Sequence, residues 1–252
     1  MTGFQDHFAP QAGAYAAFRP QYPAALIAAV AALPPRRSRC WDVGTGNGQA
    51  ALQLAAHFAE VVGTDASAHQ VAHATPHPRV RYLVAPAEHV ALEDASVDLV
   101  TVAQALHWFD LPAFYREVQR VAAPGGAIAA WTYGLLTVDP AVDAVVHWFY
   151  EARVGQYWPA ERRHVESRYT TLDFPFAPLA VESPPIEAWL DRPGLEGFIG
   201  TWSALKRARE AETVDALDEF RTALADAWPD AAERRLVRWP MVVLAGRVHD
   251  AP

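Results

Sequence analysis

Short apolar runs alternate with stretches of helical periodicity through the first half of the chain. The apolar runs predict five strands, at 39–43, 60–64, 80–84, 97–102 and 127–132. The stretches around them predict helices at about 23–32, 50–58, 67–73 and 111–121. Apolar strands separated by helices are typical of a parallel sheet that is covered on both faces. Right-handed crossovers then place the carboxyl ends of the strands at one edge of the sheet, where ligands bind.

The rhythm changes after Tyr133, and the spacing there predicts helices at about 138–154, 195–209 and 214–227 and a last strand at 236–248. We interpret this region as a helical insertion that forms a lid or a pocket wall. The whole chain, 1–252, is predicted to be a single domain. Its parts are an N-terminal cap at 1–35, a cofactor-binding core at 36–133, the lid insertion at 134–230 and a C-terminal strand that completes the sheet at 231–252.

The composition is that of a globular protein. The chain has 252 residues, of which 52% are apolar and 20% are charged, so it can bury a core of its own. The net charge of −8 argues against nucleic acid or a membrane surface as a partner. The single cysteine, Cys40, indicates a reducing compartment. Since no stretch resembles a targeting or spanning segment, we expect a cytoplasmic protein, either a monomer or a homodimer.

A glycine loop follows the first predicted strand. Gly44, Gly46 and Gly48 permit backbone conformations that are closed to other residues and let a ligand approach the main chain closely. The start of the following helix suits an anionic group. Asp65 ends the next strand, 21 residues after Gly44. It can cap a helix, or it can accept the ribose hydroxyls of a nucleoside cofactor, and beside the glycine loop we prefer the ribose interpretation.

Two more stretches follow the third and fourth strands. A side chain in the segment 85–88, Ala-Pro-Ala-Glu, would lie where an adenine ring binds. The segment 104–110, Gln-Ala-Leu-His-Trp-Phe-Asp, would face the reacting centre. Because both segments leave the same predicted edge of the sheet as the glycine loop, the four stretches together predict one cofactor site.

With these stretches in place, the sequence resembles the class I S-adenosylmethionine-dependent methyltransferases. The segments DVGTGNG, PAEHV and PGG, together with Asp65, match the order and spacing of that family. The segments FRPQYP, AQALHWFD, TWSALKR and RWPMVVLAGRV are similar to the subgroup that includes trans-aconitate methyltransferase. The resemblance implies a Rossmann-like α/β fold with a seven-stranded, mostly parallel sheet, helices on both faces and a helical lid insertion. It also implies S-adenosyl-L-methionine as the cofactor.

The resemblance implies roles for individual residues. The loop wraps the methionine part of the cofactor, an acidic strand end holds the ribose, and later segments lie by the adenine and the sulfonium. Tyr15 and Arg19 would close over the cofactor, with Arg19 pairing its carboxylate. The alternative for Arg19 is a surface arginine stacked on Tyr22, and we prefer the cofactor role. The other residues implied to bind the cofactor are Gly44, Thr45, Gly46, Gly48, Asp65, Ala66, Ala87, Glu88, Gln104 and Ala105.

The acceptor is expected to be a small molecule that is methylated at an oxygen, either a carboxylate or a hydroxyl. A hydroxyl needs a base, and His107 is the candidate for that role, or it only orients the substrate. The aromatic residues predicted to line the substrate pocket are Trp108, Trp148, Tyr157 and Trp202. Arginines at 162, 163 and 168 suit an acidic acceptor, but they can also be solvated. The sequence shows no cluster of carboxylates at the predicted strand ends, so we expect no metal site.

Two alternatives compete with methyl transfer. A nicotinamide-dependent oxidoreductase would have Gly or Ala at the last position of the G-x-G-x-x-G fingerprint, where this chain has Gln49. The glycine falls one residue earlier, at Gly48, as in the methyltransferase loop. The other alternative is a cofactor-binding protein on the same scaffold that does not transfer a methyl group.

Overall fold

A seven-stranded sheet forms the centre of the computed structural model, which describes residues 20–212 and 215–250. The strands of the described residues, in chain order, are β1 Arg39–Val43, β2 Glu60–Asp65, β3 Val80–Val84, β4 Val97–Ala103, β5 Ala122–Tyr133, β6 Ala177–Pro178, β7 Ile186–Leu190, β8 Arg235–Trp239 and β9 Met241–Arg247. The order across the sheet is β3-β2-β1-β4-β5-β9-β6. The strands β1 to β5 are parallel, whereas β9 and β6 are antiparallel to their neighbours. The predicted seven-stranded, mostly parallel sheet is confirmed.

Helices follow most of the strands. The α-helices are α1 Ala24–Ala31, α2 Gln49–Leu54, α3 Ala68–Ala72, α4 Leu111–Val121, α5 Pro140–His147, α6 Arg162–Glu166, α7 Arg192–Gly200, α8 Ser203–Ala211 and α9 Ala216–Ala227. A π-helical stretch, Trp148–Arg153, continues α5, and short 3₁₀ turns cover Leu106–Trp108 and Gly155–Tyr157. The side chain of Asp110 accepts a hydrogen bond from the Ala113 N–H and caps α4, which explains why this helix begins where the sequence predicts. In the region that the structure describes, no helix is both long and apolar enough to cross a membrane.

The sheet separates two hydrophobic cores. Adjacent residues of β1 point to opposite faces, so Cys40 joins the core under α1 and α2, while Trp41 joins the core under α4. Both side chains are fully buried. The same alternation holds in β5, where Ile128 and Ala129 belong to different cores. Helices therefore cover both faces of the sheet, as the apolar strands predict.

The first half of the chain departs from its predicted boundaries at two places. The helix predicted at 50–58 ends at Leu54, and the chain reaches the buried Phe58 through a turn. The fifth strand begins at Ala122 rather than at 127, so the turn predicted at Pro-Gly-Gly, 124–126, lies inside the strand. Its register shifts there, because Pro124 has no N–H for the ladder and Gly125 has a φ of +77°.

The second half corrects two more predictions. The helix predicted at 195–209 is two helices, α7 and α8, since Trp202 between them has an extended backbone with ψ of 135°. The strand predicted at 236–248 is also two strands. Pro240 separates β8, which pairs with β7 in a small antiparallel ribbon, from β9, which joins the large sheet. A proline lacks the N–H that a continuous strand would need at this position.

Candidate functional site

The glycine loop after β1 is held in left-handed backbone conformations. Gly44, Gly46 and Gly48 have φ values of +65°, +57° and +90°. A Cβ at Gly44 would lie 2.6 Å from the Cβ of Ala105. Glycine at this position is therefore required both by the backbone and by the close approach of the loop that follows β4.

A buried carboxyl group anchors the glycine loop from below. The Thr45 hydroxyl donates to Asp42 Oδ2 at 2.6 Å, and the Thr101 hydroxyl donates to Asp42 Oδ1 at 2.8 Å. The Thr45 N–H donates to the Thr64 carbonyl at 2.9 Å. Burial raises the pKa of Asp42 to about 6, and the two hydroxyl hydrogen bonds oppose that rise. These bonds fix the loop to β2 and β4, its neighbours at the sheet edge.

Asp65 lies at the end of β2 and contacts the loop. Its Oδ2 accepts the Gly46 N–H at 2.9 Å, and its Oδ1 accepts the Ser67 N–H at 2.9 Å. Ser67, rather than Asp65, caps α3 by accepting the Gln70 N–H. An ionised carboxylate offers about four acceptor positions, so a group of this kind can accept more than two hydrogen bonds.

The ends of β3 and β4 lie beside the same edge. Ala66 directly follows Asp65, and Ala87 is buried after β3. Glu88 Oε1 accepts the Asp110 N–H at 3.0 Å, which links the segment after β3 to the segment after β4. We call the residues at 44–48, 65–66 and 87–88 the cofactor edge.

Backbone N–H groups and a carboxylate lie together at the cofactor edge. A Cβ at Gly46 would meet no described atom closer than Gln70 Oε1 at 4.0 Å, so a ligand can approach the main chain there. The Asp65 carboxylate and the backbone amides supply the acceptors and donors that a ribose and an amino-acid group need. Tyr15 and Arg19, the remaining predicted cofactor residues, lie outside the described residues.

Gln104 occupies a strained position at the end of β4. Its φ is +62°, its N–H donates to the Trp131 carbonyl at 2.9 Å, and its Oε1 accepts the Thr132 hydroxyl at 2.9 Å. Its Nε2 is buried and has no hydrogen-bond partner among the described residues. A side-chain amide that is fixed at its oxygen and unpaired at its nitrogen is suited to donate to a ligand.

Gln104 also lines a cavity beyond the cofactor edge, which we call the acceptor cavity. Trp108 and Trp202, two of the four predicted substrate residues, line it as well. Its walls come from the end of β5, the segment before α6, the joint between α7 and α8, and the end of β8. The described lining residues are Gln104, His107, Trp108, Tyr133, Gly134, Leu135, Leu136, Trp158, Pro159, Arg162, Phe198, Trp202, Ser203 and Trp239.

His107 is held as a neutral imidazole at this cavity. Its Nδ1 lies 3.0 Å from the hydroxyl oxygen of Tyr169, and its ring lies 4.9 Å from the Trp108 ring. Burial lowers the pKa of His107 to about 3, with smaller contributions from Arg162 and His164. Tyr169 is itself fully buried on a left-handed backbone, with φ of +60°. The strained tyrosine therefore fixes the orientation of the imidazole.

The other two predicted substrate residues lie away from the acceptor cavity. Trp148 is 40% exposed. The Tyr157 hydroxyl donates to Glu212 Oε1 at 2.6 Å, and Glu212 pairs with Arg153. Tyr157 thus belongs to a charged network that joins the π-helical stretch to the end of α8.

Two residues of the site carry no signal in the sequence that would have selected them. Tyr169 contacts His107 across 62 residues of chain, and its neighbours show no motif. Trp239 lies inside what the periodicity predicts to be one continuous strand. Its indole reaches the cavity because the chain turns at Pro240.

Comparison with known proteins agrees with this geometry. A methyltransferase domain family matches residues 41–130. A protein of Dictyostelium discoideum named as a methyltransferase is 33% identical over 90% of this chain and 88% of its own length. The structure of a protein from Anaeromyxobacter dehalogenans described as a type II methyltransferase has 46% identity and a TM-score of 0.85. That match covers 92% of this chain and 99% of the other chain.

A more distant structure shares the fold alone. A protein from Anabaena variabilis, described as a methyltransferase from an antibiotic biosynthesis pathway, has a TM-score of 0.52 at 18% identity. The match covers 85% of this chain and 95% of the other chain. None of the relatives described here is an oxidoreductase, so the nicotinamide alternative gains no support from them.

Proposed function

The chain belongs to the class I S-adenosylmethionine-dependent methyltransferases, and on this premise we propose that it methylates a small molecule at an ionised oxygen. One observation carries the proposal. The acceptor cavity adjoins the cofactor edge through Gln104 and Ala105, and its one imidazole is neutral with a pKa of about 3. The imidazole of the described lining is thus a poor base at pH 7, and an acceptor that is already ionised needs none.

The cofactor supplies a methyl group on a sulfonium, which is already activated for transfer. We assign the methionine part to the backbone of the glycine loop, the ribose to Asp65 and the adenine to the segment at Ala87 and Glu88. Gln104 and Ala105 back the region of the sulfur. These assignments are supported by the bond from Gly46 to Asp65 and by the contact between Gly44 and Ala105.

On the acceptor side, the residues align the substrate and exclude water. Trp108, Trp158 and Trp202 give the cavity rigid apolar walls. A base that accepts a proton at pH 7 needs a pKa near that pH, and burial holds His107 far below it. We therefore keep the substrate-orienting role for His107 and set aside the role of general base. A carboxylate is ionised at pH 7 and needs no base, whereas an ordinary hydroxyl does.

The insertion at 134–230 is assigned as the wall of the acceptor cavity, since Trp158, Phe198 and Trp202 all come from it. The closer resemblance to the trans-aconitate methyltransferase subgroup stays a prediction.

The test is an acceptor screen with the purified full-length chain and S-adenosylmethionine. Small carboxylic acids, phenols, amines and thiols are each incubated with the enzyme, and S-adenosylhomocysteine is measured by mass spectrometry. We expect turnover with ionised oxygen acceptors and a background rate without acceptor. Turnover with amines or thiols alone would contradict the proposal. A chain that binds S-adenosylhomocysteine but turns over no compound would favour the non-methylating alternative.

A further inference from the structure

Arg162 is held at the acceptor cavity by aromatic side chains. Its guanidinium carbon lies 4.8 Å from the centre of the Trp158 ring and 5.5 Å from that of Tyr150. Its Nε donates to the Tyr150 hydroxyl at 2.8 Å, and that hydroxyl donates to Glu166 at 2.7 Å. These contacts fix the plane of the guanidinium and use only one of its three nitrogens.

Arg162 has no anionic partner among the described residues. The same is true of Arg163, Arg168, Arg207 and Arg234, but Arg162 is the one of these that lines the acceptor cavity. No carboxylate of the described residues lies within ion-pair distance of it. Six arginines between 134 and 240 do have a carboxylate within 4.0 Å; they are Arg153, Arg192, Arg209, Arg221, Arg235 and Arg238. A half-buried cation without a counterion is costly unless a ligand supplies the negative charge.

Two other residues of the cavity lining each have a buried N–H donor that is unpaired. Gln104 Nε2 and Trp239 Nε1 have no hydrogen-bond partner in the described part of the chain, and both residues line the cavity with Arg162. A buried donor without a partner is costly, because it has lost its hydrogen bonds to water. Three residues that line one cavity thus carry unused N–H groups, which favours a ligand group that accepts hydrogen bonds.

The described lining contains no Asp or Glu, so nothing in it would repel such a group. We propose that Arg162 is the residue that recognises the acceptor, and that the acceptor carries a carboxylate, which Arg162 binds with its free nitrogens while Gln104 and Trp239 donate from the other side. This proposal rests on the proposed function and narrows its acceptor class. A carboxylate matches the charge of one guanidinium and its planar fork.

Binding to the full-length protein saturated with S-adenosylhomocysteine tests the proposal. The probes are acetate, benzoate, phenylacetate and succinate, each compared with its amide, and the readouts are calorimetry and tryptophan fluorescence. We expect at least one acid to bind at least tenfold more tightly than its amide. Equal binding of acid and amide, or binding of no acid, would overturn the proposal.

Variants then assign the recognition to Arg162. Arg162→Met should weaken binding of the acid at least tenfold. Arg162→Lys keeps the charge but loses the planar fork, so its affinity for the acid should lie between those of the wild type and Arg162→Met. Arg163→Met removes the same charge from an exposed neighbour and should bind as the wild type. Trp239→Phe keeps an aromatic side chain, removes the N–H together with part of the indole, and should weaken binding of the acid about threefold. Wild-type acid binding by Arg162→Met would exclude the assignment.

The affinity for S-adenosylhomocysteine separates this proposal from the previous one. If the wild type does not bind it, the proposed function fails. If the wild type binds it and Arg162→Met loses that affinity while keeping a wild-type melting temperature, Arg162 serves the cofactor, and only the present proposal fails. An unchanged affinity in Arg162→Met, together with loss of the acid, supports both.

Discussion

The cofactor edge is made mostly of backbone, whereas the acceptor cavity is made of side chains. Three glycines shape the cofactor edge. All three have positive φ, so a side chain would strain each of them, and at Gly44 and Gly48 it would also clash. The other residues of the cofactor edge follow the ends of the next two strands along the chain. The acceptor cavity is assembled from five separate segments, and its polar groups are an amide, an indole and a guanidinium. Local sequence can specify the cofactor edge, because each of its parts lies within a few residues of a strand end.

The two sides also hold buried titratable groups that are shifted in opposite directions. Burial raises the pKa of Asp42 below the cofactor edge to about 6 and lowers that of His107 at the acceptor cavity to about 3. In both cases the neutral form is favoured, since burial penalises charge of either sign. The difference is that Asp42 accepts hydrogen bonds from two hydroxyl groups, whereas Gln104 and Trp239 at the acceptor cavity have N–H groups without a described partner.

The largest effect is expected from Gly44→Ala, which changes the backbone of the cofactor edge. The new Cβ would lie 2.6 Å from that of Ala105, on a residue with φ of +65°. We expect the unfolding free energy to fall by about 2–4 kcal/mol. Affinity for S-adenosylhomocysteine, measured by calorimetry, should fall at least 100-fold. Gly155→Ala is the control, since its Cβ would meet only an ordinary contact at 3.6 Å.

Asp65→Asn should have the next largest effect. An amide cannot accept both the Gly46 and the Ser67 N–H groups, because one of its two ends is a donor. We expect affinity for S-adenosylhomocysteine to fall by about 10- to 100-fold, which corresponds to about 1.4–2.8 kcal/mol. Glu182→Gln, at an exposed carboxylate, should leave the affinity unchanged. Retained affinity in the Asp65 variant would remove this residue from the cofactor edge.

The pH dependence of stability should separate the two buried groups. Between pH 3 and 6.5 His107 is protonated in the unfolded chain but not in the folded chain. The free energy of unfolding therefore falls as the pH drops below 6.5, and above pH 6.5 His107 no longer changes it. Asp42 acts in the opposite sense, because the folded chain holds a proton that the unfolded chain releases between pH 3.8 and 6.

His107→Gln isolates the histidine contribution. Denaturant titrations from pH 4.5 to 6.5 should show that wild-type stability, relative to the variant, rises with pH by up to about 1.4 kcal/mol per pH unit. Parallel curves for the two proteins would show that the imidazole titrates normally in the folded chain.

Arg153→Met should have the smallest effect and should be confined to the acceptor side. The Arg153 guanidinium bonds both Glu212 and Glu219, which join the π-helical stretch to the ends of α8 and α9. These groups are partly exposed, so the expected fall in melting temperature is about 2–4 °C. Affinity for S-adenosylhomocysteine should stay within twofold of the wild type, and a larger loss would show that the two sides are coupled. Arg163→Met provides the matched charge control.

The sequence predicts the elements well where local chemistry sets both ends. The strand Val80–Val84 and the helix Leu111–Val121 have their predicted bounds, and Asp110 caps that helix. Periodicity misplaces boundaries where the apolar pattern continues through a break. The apolar pattern continues through Trp202, although the backbone is extended there. It also continues through Pro240, although the strands on either side of that proline belong to different sheets.

The acceptor cavity is less predictable for a physical reason. The segment after β4 identifies Gln104, His107 and Trp108, but their partners lie far along the chain. Tyr169 reaches His107 across 62 residues, and Trp239 arrives by a turn at a proline. An aromatic-rich region suggests a pocket wall, yet composition does not distinguish Trp202, which lines the cavity, from Trp148, which is 40% exposed.

Tyr133 and Met241 are paired neighbours in β5 and β9, and they bound the segment that carries most of the described wall of the acceptor cavity. The Gly134 N–H also donates to the Pro240 carbonyl at 2.9 Å. The segment between them is not independent of the large sheet, because β6 at Ala177–Pro178 lies within it and pairs with β9. A segment exchanged between relatives at Tyr133 and Met241 would therefore have to supply both the wall of the acceptor cavity and this edge strand.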